Sequence, residues 1–455
     1  MKNTDEKKSQ YFLLRDAYYG MGGFDNGSYL AQHPRENNKK YESRKQRAYY
    51  LNYTKPCVDA HVDPIFQNSP QRDWKGAASA LWDRFVRDTD FAGSSLDNLM
   101  KRAAQMTKLY GVSFVVLDKE KDILSKTEWT IADFEKNRNN IPYAFLVEPA
   151  RVVEIKIDKF GRIVLFAYLE KDYNDETKTN TRTLTVHGWE LREGSGVLSG
   201  KVIEKGTYRL GSVPVVAIFS RESDNEDYFP PSEFLAIAKT NMHIYNACSW
   251  RSEILSGQTF PLLIYPTTAK TDLELGTDNA LGFSPESKHS PNYIAPPDGP
   301  AEMLGKEIDF LRQECYRMAG VVNVTGVTST QSGVAKAWDF KRTNQTLATF
   351  SGILGEAELQ IAQIFSAWVG LEVELSVSYP SDFSYSDIDA ELSNAIVAKD
   401  LDFGEGFNTE LFKRVLTAYL PELSAERFDE LVEEYKNIQI ESSFDKEQIV
   451  STVAI

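Results

Sequence analysis

Gly194-Ser-Gly-Val-Leu-Ser-Gly-Lys201 is the stretch nearest to a phosphate cradle. A loop of the form G-x-x-x-x-G-K-[ST] brings backbone N–H groups onto phosphate oxygens, with a lysine for the outer phosphates and a hydroxyl for Mg²⁺. Here the first required glycine falls at Ser195, and Val202 follows Lys201. G-x-G-x-x-G fails at Ser199, so the stretch reads as a hairpin turn. Asp88-Thr-Asp90-Phe-Ala92-Gly93 opens like a calcium loop but puts Ala92 and Leu99 where oxygen ligands belong, and reads as a helix-capping linker. His33, His61, His187, His243 and His289 form no H-x-x-x-H pair. His61-Val-Asp63 beside Cys57 is either an oriented base or a structural turn. With 66 Asp and Glu, carboxylate pairs are inevitable, so an acidic-cleft hydrolase stands as an alternative without any spacing that singles out a pair. The expectation is no enzyme, no cofactor and no metal.

The elements that would position any site are dominated by Pro230–Gly370. Ser232–Gly257 has the apolar stripe Phe234, Ile237, Ala238, Ile244, Tyr245, Cys248 and Leu255, which predicts a helix of about 39 Å at ~1.5 Å per residue. Pro230-Pro231 opens it, Ser232 caps it and Gly257 closes it. Pro300–Gly320 spaces Leu304, Ile308, Leu311, Cys315 and Met318 by fours and threes, the seam of a helix lying along another helix. Between them, Gln258–Gly299 holds Pro261, Pro266, Pro285, Pro291, Pro296 and Pro297, which excludes a long helix. The uncharged, glycine-bounded run after Gly320 predicts a mobile loop. Val334–Gly370 follows with Phe350, Leu354, Ala357, Ile361, Ile364 and Trp368 at helical spacing, long enough to predict a kink at Gly352 or Gly355.

Residues 1–40 are polar and glycine-rich and read as a flexible arm. Tyr41–Tyr53, Lys75–Asp88 and Ser94–Tyr110 read as helices; Arg44-Lys45-Gln46-Arg47 in the first is either a contact for DNA or another subunit, or a solvated face. Val112–Asp118 reads as a buried strand, and Tyr143–Phe219 as one mixed or antiparallel sheet to which Leu371–Tyr379 returns. Ile388–Lys399, Thr409–Leu420 and Ala425–Asn437 read as short helices capped by Ser386, Asn408 and Ser424. The fold class is α+β.

Composition sets bounds. The 455 residues allow two or three domains, and 42% hydrophobic with 26% charged residues is ordinary for a globular protein. There is no run of 18 apolar residues and no apolar signal core after Met1, so a cytoplasm-like compartment and no membrane are expected. Cys57, Cys248 and Cys315 lie too far apart in sequence to suggest a disulfide framework. A net charge of -15 argues against gripping nucleic acid by phosphate neutralisation, yet suits a surface over which DNA slides.

Three stretches carry a resemblance: the helix-Gly-strand Asp97–Asp118; Val213-Pro-Val-Val-Ala-Ile-Phe219 followed by Phe229-Pro-Pro-Ser-Glu-Phe-Leu; and Gln331-Ser-Gly-Val-Ala-Lys-Ala-Trp-Asp-Phe340. In this order, around a proline-rich insert, the chain resembles the portal proteins of tailed bacteriophages, the head-to-tail connector family, over residues 40–440. The resemblance implies an arm (1–40), a wing with a mixed α/β sheet (41–230 and 334–380), stem helices (231–257 and 300–320), an irregular clip (258–299), a tunnel loop (321–333) and a helical crown with its tail (381–455). It implies a homo-oligomeric ring, usually of twelve copies, at the portal vertex of the virion capsid, assembled in the host cytoplasm. Double-stranded DNA would pass through it without sequence specificity during packaging and ejection. The terminase large subunit, a head-tail adaptor, and the major capsid and scaffolding proteins are the implied partners.

By the same resemblance the channel loop is Val321, Val322, Asn323, Val324, Thr325, Gly326, Val327, Thr328, Ser329, Thr330, Gln331 and Ser332, with Lys336, Lys341 and Arg342 either meeting the DNA backbone or lying on a solvated or subunit-facing helix. Clip docking would fall to Pro261, Tyr265, Pro266, Phe283, Pro285, Pro291 and Tyr293. A different head-tail structural protein is the remaining alternative.

Overall fold

Strand β2 (Val112–Asp118) has six consecutive buried residues, so both of its faces must be covered. It pairs antiparallel with β3 (Tyr143–Val147) and β9 (Val215–Phe219) in a sheet of order β3-β2-β9. Phe114 and Val116 enter one hydrophobic cluster and Val115 and Leu117 the other, as the two-residue period of a strand requires. Helix α5 (Leu96–Tyr110) leads in, capped by Ser95 and closed by Gly111 at φ 90, which is the helix-Gly-strand unit legible in the sequence.

The computed structural model describes residues 3–119, 141–171, 178–197, 199–221, 227–259, 262–266, 280–284, 286, 291–294, 299–321, 333–381, 383, 404–420, 427–428 and 430–437. The chain is α+β and divides into two units, Met1–Phe383 and Ser384–Ile455.

The single sheet expected over Tyr143–Phe219 is two sheets. Strands β4 (Val152–Ile157), β5 (Ile163–Lys171), β6 (Thr179–Thr185), β7 (Gly188–Glu193) and β8 (Val202–Thr207) form an antiparallel meander, while β9 leaves it to pair with β2. Alternation marks a strand without naming its partner. For the same reason the expected return of Leu371–Tyr379 to the main sheet fails. Strand β13 (Glu374–Ser378) pairs with β1 (Gln71–Lys75) in a separate two-stranded sheet. Lys75 therefore ends a strand, and helix α4 (Ser79–Arg87) begins only after Gly76, whose φ of 111 and close approach to the Glu372 carbonyl exclude a side chain.

The flexible-arm reading of residues 1–40 also gives way. Asp5–Tyr19 is helix α1, with the Thr4 hydroxyl accepting the Lys7 N–H at 3.3 Å and Gly20 at φ 67 closing it. Tyr11, Leu14 and Tyr18 recur at i, i+3 and i+7 and are buried in the first cluster, where Tyr11 meets Tyr110 edge-on at 5.8 Å. Three apolar positions spread through polar filler left little signal in composition. Tyr41–Tyr53 likewise resolves into the greater part of α2 (Asn38–Arg47) and an extended connection, after which α3 (Thr54–Asp59) begins.

Helices α6 (Leu235–Thr259) and α7 (Gly299–Ala319) match the two expected rods within two or three residues. The insert between them, read as irregular, holds a small sheet in which β10 (Leu262–Pro266) pairs parallel with β11 (Ala280–Phe283) and antiparallel with β12 (Asn292–Ile294). Helix α8 (Gly333–Val369) runs through Gly352 and Gly355 without interruption. Its stripe Phe350, Leu354, Ala357, Ile361 and Phe365 seals the second cluster against Val216 and Ile218 of β9.

In the second unit, α9 (Glu405–Tyr419) begins at Gly404 rather than at the expected cap Asn408, and residues 430–437 are helical. Phe412 and Tyr435 stack at 4.1 Å. The expected helix Ile388–Lys399 lies outside the described residues.

Candidate assembly surface and channel segment

Helix α6 is fixed by one amide. Asn241 is fully buried, and its Oδ1 accepts the Tyr53 N–H at 2.9 Å, the Thr54 N–H at 3.1 Å and the Tyr50 hydroxyl at 2.8 Å. Its Nδ2 donates to the Leu51 carbonyl at 2.7 Å. The extended 48–53 connection has few bonds of its own, and this side chain supplies them. Arg44, from the basic cluster, is also buried. It donates to Ser249 Oγ at 2.8 Å, the Ala31 carbonyl at 2.7 Å and Glu36 at 2.8 Å, and its guanidinium lowers the Glu36 carboxyl below the ordinary range. Arg47 pairs with Glu253 and donates to Ser256 Oγ at 3.0 Å, while Lys45 pairs with Glu42 at 3.0 Å. Arg44 and Arg47 thus clamp α2 to α6, while Lys45 pairs within α2.

The two rods form a hairpin. Arg251, late in α6, crosses Gly305, early in α7, whereas Tyr53 beside Asn241 meets Tyr316 edge-on at 6.1 Å. The helices therefore run antiparallel. Ala301, Ile308 and Cys315 are buried, with Leu304 and Leu311 packed against the same cluster. Met318, expected on this seam, points away from it, and Ala319 takes the place. Two residues beyond each of the first two seam positions, roughly 200° round the helix, lie Met303, 72% exposed, and Phe310, 55% exposed. Met318, 40% exposed, lies on the flank beside Leu311. On α6, Trp250 and Leu255 are 40% and 44% exposed. Covering what Met303 and Phe310 leave exposed would contribute roughly 2–4 kcal/mol at about 1.5–3 kcal/mol per fully buried apolar side chain.

In the insert expected to form the clip, Tyr293 is 61% exposed opposite Leu263 in the β10–β12 ladder, and Pro266 and Pro291 are exposed. Tyr265 is half-buried, and Phe283 stands opposite Pro266 in the β10–β11 ladder. Pro261 and Pro285 lie outside the described residues.

Of the expected channel loop, Val321 is buried and its N–H reaches the Tyr316 carbonyl at 3.1 Å; 322–332 lie outside the described residues. The flanking helices are tied where they meet: the Thr343 hydroxyl donates to the Gly320 carbonyl at 3.0 Å. Residues 333–342 of α8 therefore run about 15 Å from that anchor at 1.5 Å per residue. Lys341 and Arg342 are exposed beside the anchor, and Lys336 falls within the same ten-residue stretch of helix.

The groups with chemical potential are occupied structurally. His61 Nδ1 bonds the Cys57 carbonyl at 2.9 Å, its ring meets Phe234 edge-on at 5.5 Å, and burial lowers its pKa. Burial pushes the Cys57 thiol up to about 12, and Asp63 pairs with Lys101 at 2.9 Å. Asp90 Oδ1 accepts the N–H groups of Ala92 and Ser94 at 2.9 and 3.0 Å, and Asp88 accepts that of Gly93 at 2.9 Å, so those carboxylates hold a turn. Gly194–Lys201 connects β7 to β8. Among the described residues no group of three His, Cys, Asp or Glu could hold a metal, and no helix is long and apolar enough to cross a membrane.

Sequence reasoning missed Asn241, the buried partners of Arg44 and the pair Arg72–Glu358. Each joins positions more than a hundred residues apart. Only Asn241 left a trace, as an amide in an apolar helical stripe.

No family model matches the chain, and no curated protein matches it. Solved structures similar to it are a chain from the virion of a native gene transfer agent particle (13% identity, TM-score 0.42, covering 95% of this chain and 94% of that one), one from the neck of the empty particle computed with C6 symmetry (14%, 0.46, 92% and 94%), and one from the neck of the native particle computed with C12 symmetry (13%, 0.41, 92% and 98%). At these scores the likeness is of coarse outline, and a functional reading stands on the geometry of this chain.

Proposed function

We propose that the chain is a non-enzymatic structural protein of the head-to-tail junction of a phage-like particle, and within that class the portal. Identical copies would close into a ring through which double-stranded DNA is packaged and ejected. The observation that carries this reading is the stem hairpin. Helix α7 buries Ala301, Ile308 and Cys315 against its partner and turns Met303 and Phe310 outward on the opposite face. A two-helix layer with apolar residues on its outer side suits a neighbour on that side, and a contact repeated head-to-tail closes a ring when the rotation per copy divides a full turn. Gly320, tied to Thr343, and the start of α8 about 15 Å further along would bracket the expected tunnel loop, and the β10–β12 sheet would serve as the surface for the terminase and the adaptor.

Native mass spectrometry of the purified chain, with end-on images, tests the reading. Rings with a central hole are expected, and a strictly monomeric mass under all assembly conditions would overturn it. A ring whose hole is not lined by α6 and α7 would favour a different head-tail component. Deleting 322–332 should leave ring formation intact and reduce DNA packaging or retention.

A further inference from the structure

Helices α6 and α7 leave charges of opposite sign unpaired. On α7, Lys306 pairs with Glu302 at 2.7 Å, Arg312 with Asp309 at 3.3 Å and Arg317 with Glu314 at 2.7 Å. Glu307 is exposed and meets no cation among the described residues. On α6, Glu253 pairs with Arg47, while Lys239 and Arg251 meet no carboxylate among the described residues. The Nε of Arg251 is shut off from solvent and donates to nothing among them. A buried donor left open in this way calls for an acceptor.

Glu307 cannot supply it within one chain. Arg251 lies over Gly305, its Cζ 3.5 Å from where a Cβ would stand. Glu307 is two residues further, roughly 200° round the helix, and so points away from α6 beside Met303 and Phe310. The rods run antiparallel, so Trp250 stands at the level of Lys306, midway between Met303 and Phe310. Those two side chains are seven residues apart, about 10 Å along the helix. A ring inserted midway would lie about 5 Å from each level, the spacing of sulfur–aromatic and aromatic–aromatic contacts.

We propose that the stem of a second copy of this chain packs on α7, with its Trp250 between Met303 and Phe310 and its Arg251 on Glu307. The proposal rests on the ring reading and adds which surfaces of the copies meet. Rotation about a ring axis preserves height along it, so rods lying along the axis bring equal levels together. Trp250 and Arg251 share their level with Glu307 and the gap around it, and both the missing charge and the matching shape belong to this same sequence. Lys239 does not fit Glu307, because it lies twelve residues from Arg251, about 18 Å along the rod. The two patches are on different helices, so the contact runs head to tail and repeats instead of closing as a pair.

Exchanging the charges tests the contact. Arg251→Glu and Glu307→Arg should each raise the concentration needed for ring assembly about tenfold, with the melting temperature of the monomer within a few degrees of the parent. Mixed in equal amounts, the two variants should assemble as the parent does, because every contact between unlike copies again joins opposite charges. Native mass spectrometry should then show rings that hold the two in equal number. Trp250→Ala should also weaken assembly. Single variants that assemble as the parent does, or a mixture that does no better than its components, overturn this contact and leave the ring reading in place. A marked fall in the melting temperature of either variant places that residue in its own chain's packing and overturns the contact too. A parent chain that never assembles overturns the ring reading as well.

Discussion

Arg72 on β1 and Glu358 on α8, 286 residues apart in sequence, meet as a buried ion pair with Nε 2.5 Å from Oε1. Glu358 is fully buried and also accepts the Tyr379 hydroxyl at 2.9 Å, and Arg72 reaches Asp97 at 2.6 Å. One arginine thus joins α8, the β1–β13 ladder and α5. Glu358→Ala should destabilise the chain by about 3–5 kcal/mol, because the stranded guanidinium loses its buried partner. Adding Arg72→Met should restore most of that. Urea denaturation of both variants decides it, and a single-variant loss under about 1 kcal/mol would contradict the assigned burial.

Asn241→Leu should cost roughly 2–4 kcal/mol, since the N–H groups of Tyr53 and Thr54 would lose their acceptor in a dry site. Hydrogen exchange should quicken first at residues 50–54, ahead of α6 itself. Uniform exchange across both segments would show that the connection does not depend on this amide.

Phe310→Asp places a charge at the centre of the outward α7 face without touching the seam of Ile308 and Cys315. Light scattering should show smaller species, with the monomer's melting temperature within a few degrees of the parent. A fall in melting temperature with assembly unchanged would place Phe310 in the monomer's own packing.

His61 gives a pH dependence of fixed sign. Burial lowers its pKa in the folded chain, so below the ordinary value of about 6.5 the unfolded chain binds the proton and the folded chain resists it. Its contribution is whole above that value and is lost as pH falls towards the folded pKa. His61→Gln should flatten the decline in melting temperature between pH 7 and 5; an unchanged slope would assign the acid limb to other groups.

Cys57 and Cys315 are buried, and burial raises both thiols to about 12. At pH 8 only about one part in ten thousand would be thiolate. An Ellman titration should find no reactive thiol in the folded chain and three in guanidinium. Prompt reaction of one native thiol would reveal an opening at the helix that carries it, α3 for Cys57, α6 for Cys248 or α7 for Cys315.

The sequence by itself determined the rods and the interruption between them. Phe234, Ile237 and Ile244 on one side of Gln258–Gly299, and Leu304, Ile308 and Leu311 on the other, fix helical faces because a 3.6-residue period is written locally. Gly111 and Gly320 mark helix ends for the same reason, and near misses such as Ser199 and Val202 closed off phosphate chemistry. Only the tertiary structure decided that β9 leaves the meander for β2, that β13 pairs with β1, that Met318 faces outward, and that Arg44 is a clamp. Pairing and burial depend on which surfaces meet across hundreds of residues, and the backbone hydrogen bonds that join strands carry no side-chain signature. Helix α1 lay between these cases: its period was present at Tyr11, Leu14 and Tyr18, but became meaningful only once Tyr110 was seen to cover it.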